Sequence, residues 1–374
     1  MLFRSALKIT FRVVIKGNEM SNCRFVDPLT EPQWDRFVSN HPSGVLTHLS
    51  GWKKLLEGTF SGMKGFHVAL FDASSKEIKA AVPVFLQKNW LSGSKLVSVP
   101  FGTLCGPLVT NAEDMVPLVD TLLDLASNLG ASSLELRTYG KLSLLNDDRL
   151  GKSDYFRHHC LFLKPGPDIL KNHFHRSCVR QKIDRALNSG LKLRIGHTEA
   201  ELLEFYRLHL IMRKKQGLLP HPYRFFELLW KTFSPEGHVE LLLVEDGDHI
   251  PAGLMLFKFN GRVSAEILAH DESSRLKSPN HFLFWEAIKR SCAENYTVFD
   301  FGRTAPDNET LMAFKGRWVT QVETMPTYFF PDHRTSSESS VQRSKVRILV
   351  GKFCKYAPEK FVKHAGTTYY NHFM

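Results

Sequence analysis

Apolar and polar positions follow two rhythms along this chain. Over residues 31–39, 51–57 and 112–129 the apolar side chains recur every three to four positions, which predicts helices. The stretches 66–72, 79–88, 95–99 and 133–137 read instead as extended, with a Gly/Pro-punctuated loop at 100–107 before the long helix. The second half repeats this grammar with different residues. Helices are predicted over 170–189, 199–216, 222–233 and 280–294, and strands over 191–195 and 297–301. Between them, 239–245, 252–259 and 262–269 form three strands joined at Asp246-Gly247 and Asn260-Gly261, both hairpin signals, so the sheet there is expected to be antiparallel. Phe282, Trp285, Ile288 and Cys292 make one stripe of helix 280–294. The expectation is two similar α/β halves in tandem: an N-terminal extension at 1–20, a first domain at 21–165, a second at 166–332, and a tail at 333–374. Because a strand-like start follows Met20 directly, translation is expected to begin there and the extension to be dispensable.

Composition narrows the class. With 43% apolar and 23% charged residues the chain is globular rather than disordered. No run approaches the roughly 20 apolar residues of a spanning helix, so an integral membrane protein is not expected. The six cysteines are dispersed, with no C-x-x-C and no His at ligand spacing. They read as reduced thiols of a cytoplasmic protein, without a metal site or disulfide framework.

Charge is uneven. Lys171 to Arg194 carries seven basic residues against Asp184 alone, and Arg334 to Met374 carries eight against Glu338 and Glu359, while the body between and around them is mildly acidic despite the overall +11. A focused anion site is therefore expected rather than a general polycation. DNA binding is not expected, since no recognition motif accompanies the charge. The tail opens with a Ser-rich linker at 333–340. It continues as a basic amphipathic helix in which Val346, Leu349, Val350, Phe353 and Tyr356 share a face. That face has two readings, docking on the protein's own surface and peripheral contact with the inner face of a membrane.

The sequence contains no G-x-S-x-G, P-loop, H-E-x-x-H or G-x-G-x-x-G, so hydrolase, nucleotidase and dehydrogenase readings lose their support. On the basic helix, Arg176 and Arg180 are four apart and so adjacent, with Lys182 and Arg185 close by; paired guanidinium forks suit phosphate oxygens. Arg303 follows Gly302 at a strand end and is placed for an anion, with Asp300 expected as its structural partner. Asn280 opens helix 280–294, where free N–H groups favour anions; the alternative is that it caps its own helix.

Three segments, HFHRSCVRQKIDRALNSGLKLRIG, the meander from VELLLVEDGDHIP to FWEAIKRS, and VFDFGRTAPDNETLMAFKGRWV, resemble in that order the FemAB-related branch of the acyl-CoA N-acyltransferase superfamily, over about Asn172 to Phe330. The first half, with VSVPFGTLCGPLV, is similar to that family's first acyltransferase-like domain. The resemblance implies two tandem GNAT-like domains with mixed, largely antiparallel sheets. It also implies transfer of an acyl or aminoacyl group to an amine, on a nucleotide- or lipid-linked sugar or peptide of the cell envelope or an exopolysaccharide. Lys315 matches the family's Phe-Lys motif, which implies a lysine near a phosphate and the reacting carbonyl. In GNAT-like folds the strand at 263–270 lines the cleft; Ser264, Glu266, Leu268 and His270 share one of its faces by the period of two, making Glu266 and His270 the candidate bases. The usual pyrophosphate loop is missing, which leaves acyl-CoA and aminoacyl-tRNA as alternative donors. Acyl-CoA is preferred because no helical hairpin insertion for tRNA is found. A non-catalytic assembly factor that binds the precursor is the reading from another class.

Overall fold

The computed structural model describes residues 22–89, 93–138, 147–331 and 348–372; the N-terminal extension, the Ser-rich linker and the start of the tail helix lie outside them. Contacts divide the described residues into two units, one formed by those within 22–154 with 325–331 and 371–372, the other by 155–324 with 348–370. The division falls eleven residues before the sequence boundary at 165/166, because strand β6 (Gly151–Phe162) makes its ladder with β11 (Val298–Thr304) from Arg157 onward.

In the first unit, strands β1 (Cys23–Val26), β2 (Met63–Phe71), β3 (Ile78–Asn89) and β4 (Gly93–Ser98) are antiparallel neighbours. Strand β5 (Ser133–Arg137) runs parallel to β4, and the chain returns late as β12 (Gln321–Phe330) to pair antiparallel with β5. A parallel pair needs a crossover, and α3 (Met115–Asn128) supplies it. Met115, Leu118, Val119, Leu122, Leu125 and Ala126 are spaced to fall on one side of that helix and are all buried on the sheet. Each large side chain removed from water there contributes about 1.5–3 kcal/mol. Helices α1 (Trp34–Asn40) and α2 (Ser50–Thr59) complete the unit.

In the second unit the order is β6, β11, β10 (Arg262–His270), β9 (His249–Phe259), β8 (Val239–Asp246), β7 (Lys192–Gly196). The turn between β9 and β10 behaves as its residues dictate. Asn260 and Gly261 have φ of 45° and 70°, the left-handed pair that a two-residue hairpin requires and that these two residues tolerate best. One face of the sheet packs on α5 (Gln181–Leu187) and α8 (Pro279–Ala293), whose Ile183, Ala186, Leu283, Trp285 and Ile288 meet Leu242, Val244, Leu254 and Leu256. The other face carries α6 (Glu199–Lys215) and α7 (Tyr223–Phe233). Gly253 permits that approach, since a Cβ there would sit 2.7 Å from the Phe205 ring and 2.9 Å from Leu243.

The predicted helix 170–189 is broken. It consists of α4 (Pro167–His173), a π-helical turn at Arg176–Arg180 and α5. The wide turn begins where the His175 side chain accepts from the Cys178 N–H and the His175 carbonyl accepts from Arg180. Beyond the sheet lie α9 (Glu309–Gly316), a helix at 348–356, here α10, and α11 (Glu359–His372). No helix of the described residues is long and apolar enough to cross a membrane.

Candidate active site

Strands β10 and β11 are parallel neighbours for only three registered pairs, Arg262 with Val298, Val263 with Phe299 and Ser264 with Asp300, although both strands run on, to His270 and Thr304. Where the pairing stops, both strands bulge against their other neighbours: β10 between Ala265 and Ile267, β11 between Asp300 and Gly302. Bulges at such a place re-aim side chains and end pairing. The result is a gap inside a sheet, where main-chain carbonyls need other donors.

Lys315 provides them. Its ammonium, brought in by α9 and buried, donates to the carbonyl oxygens of Gly302 at 3.0 Å and Arg303 at 3.1 Å. Two of three N–H directions are thereby used. Burial pushes its pKa down, against the opposing charges of Asp300, Glu266 and Cys160, to about 8. The lysine is thus a desolvated cation rather than a solvated helix side chain.

Beside it lies a buried charge network. Both carboxylate oxygens of Asp300 lie 2.9 Å from His158 Nε2, Arg262 Nη1 donates to Oδ2 at 2.9 Å, and the Gly302 N–H donates to Oδ1 at 2.6 Å. Burial alone would raise the Asp300 carboxyl; the His158 and Arg262 cations and the Gly302 N–H overcome it and hold Asp300 below the usual range. Burial likewise opposes protonation of His158, yet the Asp300 charge carries its pKa up to about 10. Cys160, registered opposite Asp300, has its sulfur 3.4 Å from Arg262 Nη1 and 3.5 Å from His158 Nε2. The neighbouring His159 is held neutral, its pKa lowered to about 4 by burial and by Lys315.

By distance alone His158, Cys160 and Asp300 could hold a cation, since their ligand atoms lie within 4.8 Å of one another. The donor set fits one poorly. Both oxygens of Asp300 and the sulfur already receive N–H groups from two cations, which a metal would have to displace.

The structure treats the residues singled out in the sequence unequally. Glu266 is the extra residue of the β10 bulge and close enough for its charge to act on Lys315. That bulge overturns the expected shared face. Cross-strand partners place Ser264 with Ile267 and Ala269 on the α6 side, but His270 with Ala265 and Leu268 on the α8 side. His270 Nδ1 lies 3.1 Å from the Asp271 carbonyl oxygen. Asp300 is not the partner of Arg303, because His158 and Arg262 occupy it; the Arg303 guanidinium lies over the Phe156 ring at 4.6 Å.

On the basic segment, Arg176 is exposed, whereas Arg180 is half-buried with an Nε that has no hydrogen-bond partner among the described residues. Such an unmet donor suits an anion's oxygen. Lys182 is half-buried and, after burial itself, is what depresses His281 to about 4. This sets the basic segment against the start of α8. Asn280 does not cap that helix: Ser278 stands at the N-cap position, and Asn280 Oδ1 is buried without a partner among the described residues. Being an acceptor, that oxygen lacks an N–H rather than a phosphate. Sequence reasoning missed His158, Cys160 and Arg262. The only signal was a buried aspartate at 300 that has to find cations.

Residues 173–315, which include both strands of this gap, match the family model of an acetyltransferase (GNAT) domain. Several solved structures share the fold. The FemX crystal structure is 17% identical with a TM-score of 0.67, over 82% of this chain and 96% of FemX. The structure of L-PGS from Bacillus licheniformis is 13% identical with a TM-score of 0.55, over 88% of this chain and 98% of that one. A tandem GNAT protein from the clavulanic acid biosynthesis pathway is 12% identical with a TM-score of 0.51, over 82% and 98%. At these identities the likeness concerns the fold: two tandem GNAT-like units. Comparison with the curated proteins gives no match. The GNAT match supports an acyltransferase.

Proposed function

We propose that this protein is an N-acyltransferase that moves an acyl group from acyl-CoA to an amine of a phosphate-bearing cell-envelope or exopolysaccharide precursor, a nucleotide- or lipid-linked sugar or peptide. The observation that carries the reading is the Lys315 ammonium, buried in the gap between β10 and β11 with two N–H groups on main-chain carbonyls and the third unspent among the described residues. Attack of an amine on an acyl carbonyl puts negative charge on the carbonyl oxygen, and a preorganised cation in a desolvated site stabilises that charge best. In this reading the third Lys315 N–H donates to the oxyanion, Glu266 takes the proton from the amine, and collapse releases the donor's thiol. Arg176, Arg180, Lys182 and Arg303 hold phosphate oxygens. The Asp300 network keeps Lys315 and its carbonyl partners in place through Gly302.

The test is a turnover screen of purified protein with acyl-CoAs and charged tRNAs as donors against UDP-linked amino sugars as acceptors, run alongside Lys315→Ala. Thiol release that depends on acceptor and drops about 10²–10³-fold in the variant is expected. Turnover with charged tRNA alone would replace the donor. Binding of the acceptor without turnover from any donor would replace the transferase reading with that of a binding factor.

A further inference from the structure

The tail helix α10 presents two apolar stripes, not one. Val350, Cys354 and Ala357 turn inward and pack with Leu219 and Val362. The helix is pinned there: a Cβ on Gly217 would lie 3.1 Å from the Gly351 Cα. A Cβ on Gly366 of α11 would likewise lie 2.4 Å from the Pro220 carbonyl oxygen, and Tyr370 Oη lies 3.4 Å from that of Leu219. The second stripe, Leu349, Phe353 and Tyr356, follows the spacing i, i+4, i+7 about a quarter-turn away. It faces outward, with exposures of 68%, 44% and 84%, and Phe361 at the start of α11 adds another at 64%. On the far flank of α10 stand Ile348, Lys352 and Lys355, all exposed, and Lys360 and Lys363 are exposed on α11. Over 348–372 four lysines face a single acidic residue, Glu359.

One stripe anchors the helix to the protein; the other has no place in that packing. Large apolar side chains flanked on one side by lysines are the pattern of a helix lying in the plane of a membrane interface. There the apolar face enters the acyl boundary and the lysine stems bring their ammonium groups to the headgroups. The excess of lysine over acidic residues makes the headgroup partner anionic. A protein partner would need acidic groups to match, whereas a bilayer with anionic lipid offers the apolar layer and the negative surface together.

We propose that the Leu349–Phe353–Tyr356 stripe with Phe361 and the flanking Lys352 and Lys355 is a docking surface for an anionic lipid bilayer, holding the second unit at the membrane. The proposal stands independently of the transferase reading, since it predicts binding with no substrate present.

The test is sedimentation of the full chain with phosphatidylcholine vesicles, with and without phosphatidylglycerol. Binding to the phosphatidylglycerol vesicles is expected, weakening with salt. It should fall about tenfold or more in Leu349→Ser/Phe353→Ser, since each side chain would no longer leave water. Lys352→Gln/Lys355→Gln should also weaken it and flatten the salt dependence, a second arm that decides the matter if the first variant loses its thermal transition. Failure of the full chain to bind either vesicle, or equal binding by both variants and the wild type, would overturn the proposal. So would a concentration-dependent dimer abolished by Leu349→Ser/Phe353→Ser, which would give the stripe to a second copy.

Discussion

Lys315 and Asp300 show how burial sorts charged groups by the compensation that each one meets. Both are buried, but Asp300 is compensated on every side by His158, Arg262 and the Gly302 N–H, whereas Lys315 meets mainly neutral carbonyls and distant charges. The first is therefore locked as a carboxylate and the second drawn toward neutrality. Removing the Asp300 charge should expose what it neutralises. Asp300→Asn leaves the buried His158 and the half-buried Arg262 against a neutral amide, and a loss of about 3–5 kcal/mol is expected in urea unfolding. His158 should lose its proton at far lower pH in an NMR titration of the same variant. A change below about 1 kcal/mol would show that the network is not compensating buried charge.

At the scale of elements, what was legible in the sequence is what local chemistry decides. Helix α3 follows from its apolar spacing, and the β9–β10 turn follows from Asn260-Gly261. What was not legible depends on partners far away in sequence. Strand β6 was not anticipated: Lys152, Asp154, Arg157, His158 and His159 make it read as polar, and His158 finds Asp300 only across 142 residues. Strand β12 likewise pairs with β5 across the whole second unit. The bulge at Glu266 adds a single residue and no composition signal, yet it sends Ser264 and His270 to opposite faces. Lys315 was legible as a motif residue, while its burial and its carbonyl partners were not. Close helix–sheet approach makes a testable case at this scale. Gly253→Ala must displace Phe205 or Leu243, so a cost of about 1–3 kcal/mol is expected in chemical denaturation, with the unfolding slope unchanged. A neutral or stabilising result would mean that α6 is not seated on β9 as described.

For the molecule as a whole, buried imidazoles set the acid limit. Burial lowers His48 to about 4 and His209 to about 3. Both are neutral when folded, while the unfolded chain takes up their protons near pH 6.5. Their contribution to stability is therefore full above about pH 6.5 and is lost as pH falls toward 4 and 3, each by at most about 1.4 kcal/mol per pH unit. His158 has the opposite sign: with its folded pKa raised to about 10, its contribution is full below about pH 6.5 and is lost as pH rises through that range. Stability should peak near neutrality, and urea midpoints at pH 5, 7 and 9 would check it. The same reasoning reaches the reaction. A transferase that depends on the Lys315 ammonium must slow as that group loses its proton. The most direct measurement is the pH dependence of kcat/KM for wild type and Lys315→Arg with the donor–acceptor pair that the screen identifies. Wild-type activity is expected to descend through about pH 8, with the arginine variant keeping its residual rate flat across that range. A wild-type rate that stays level to pH 9, or a Lys315→Ala protein as active as wild type, would contradict the placement of the reacting carbonyl at Lys315.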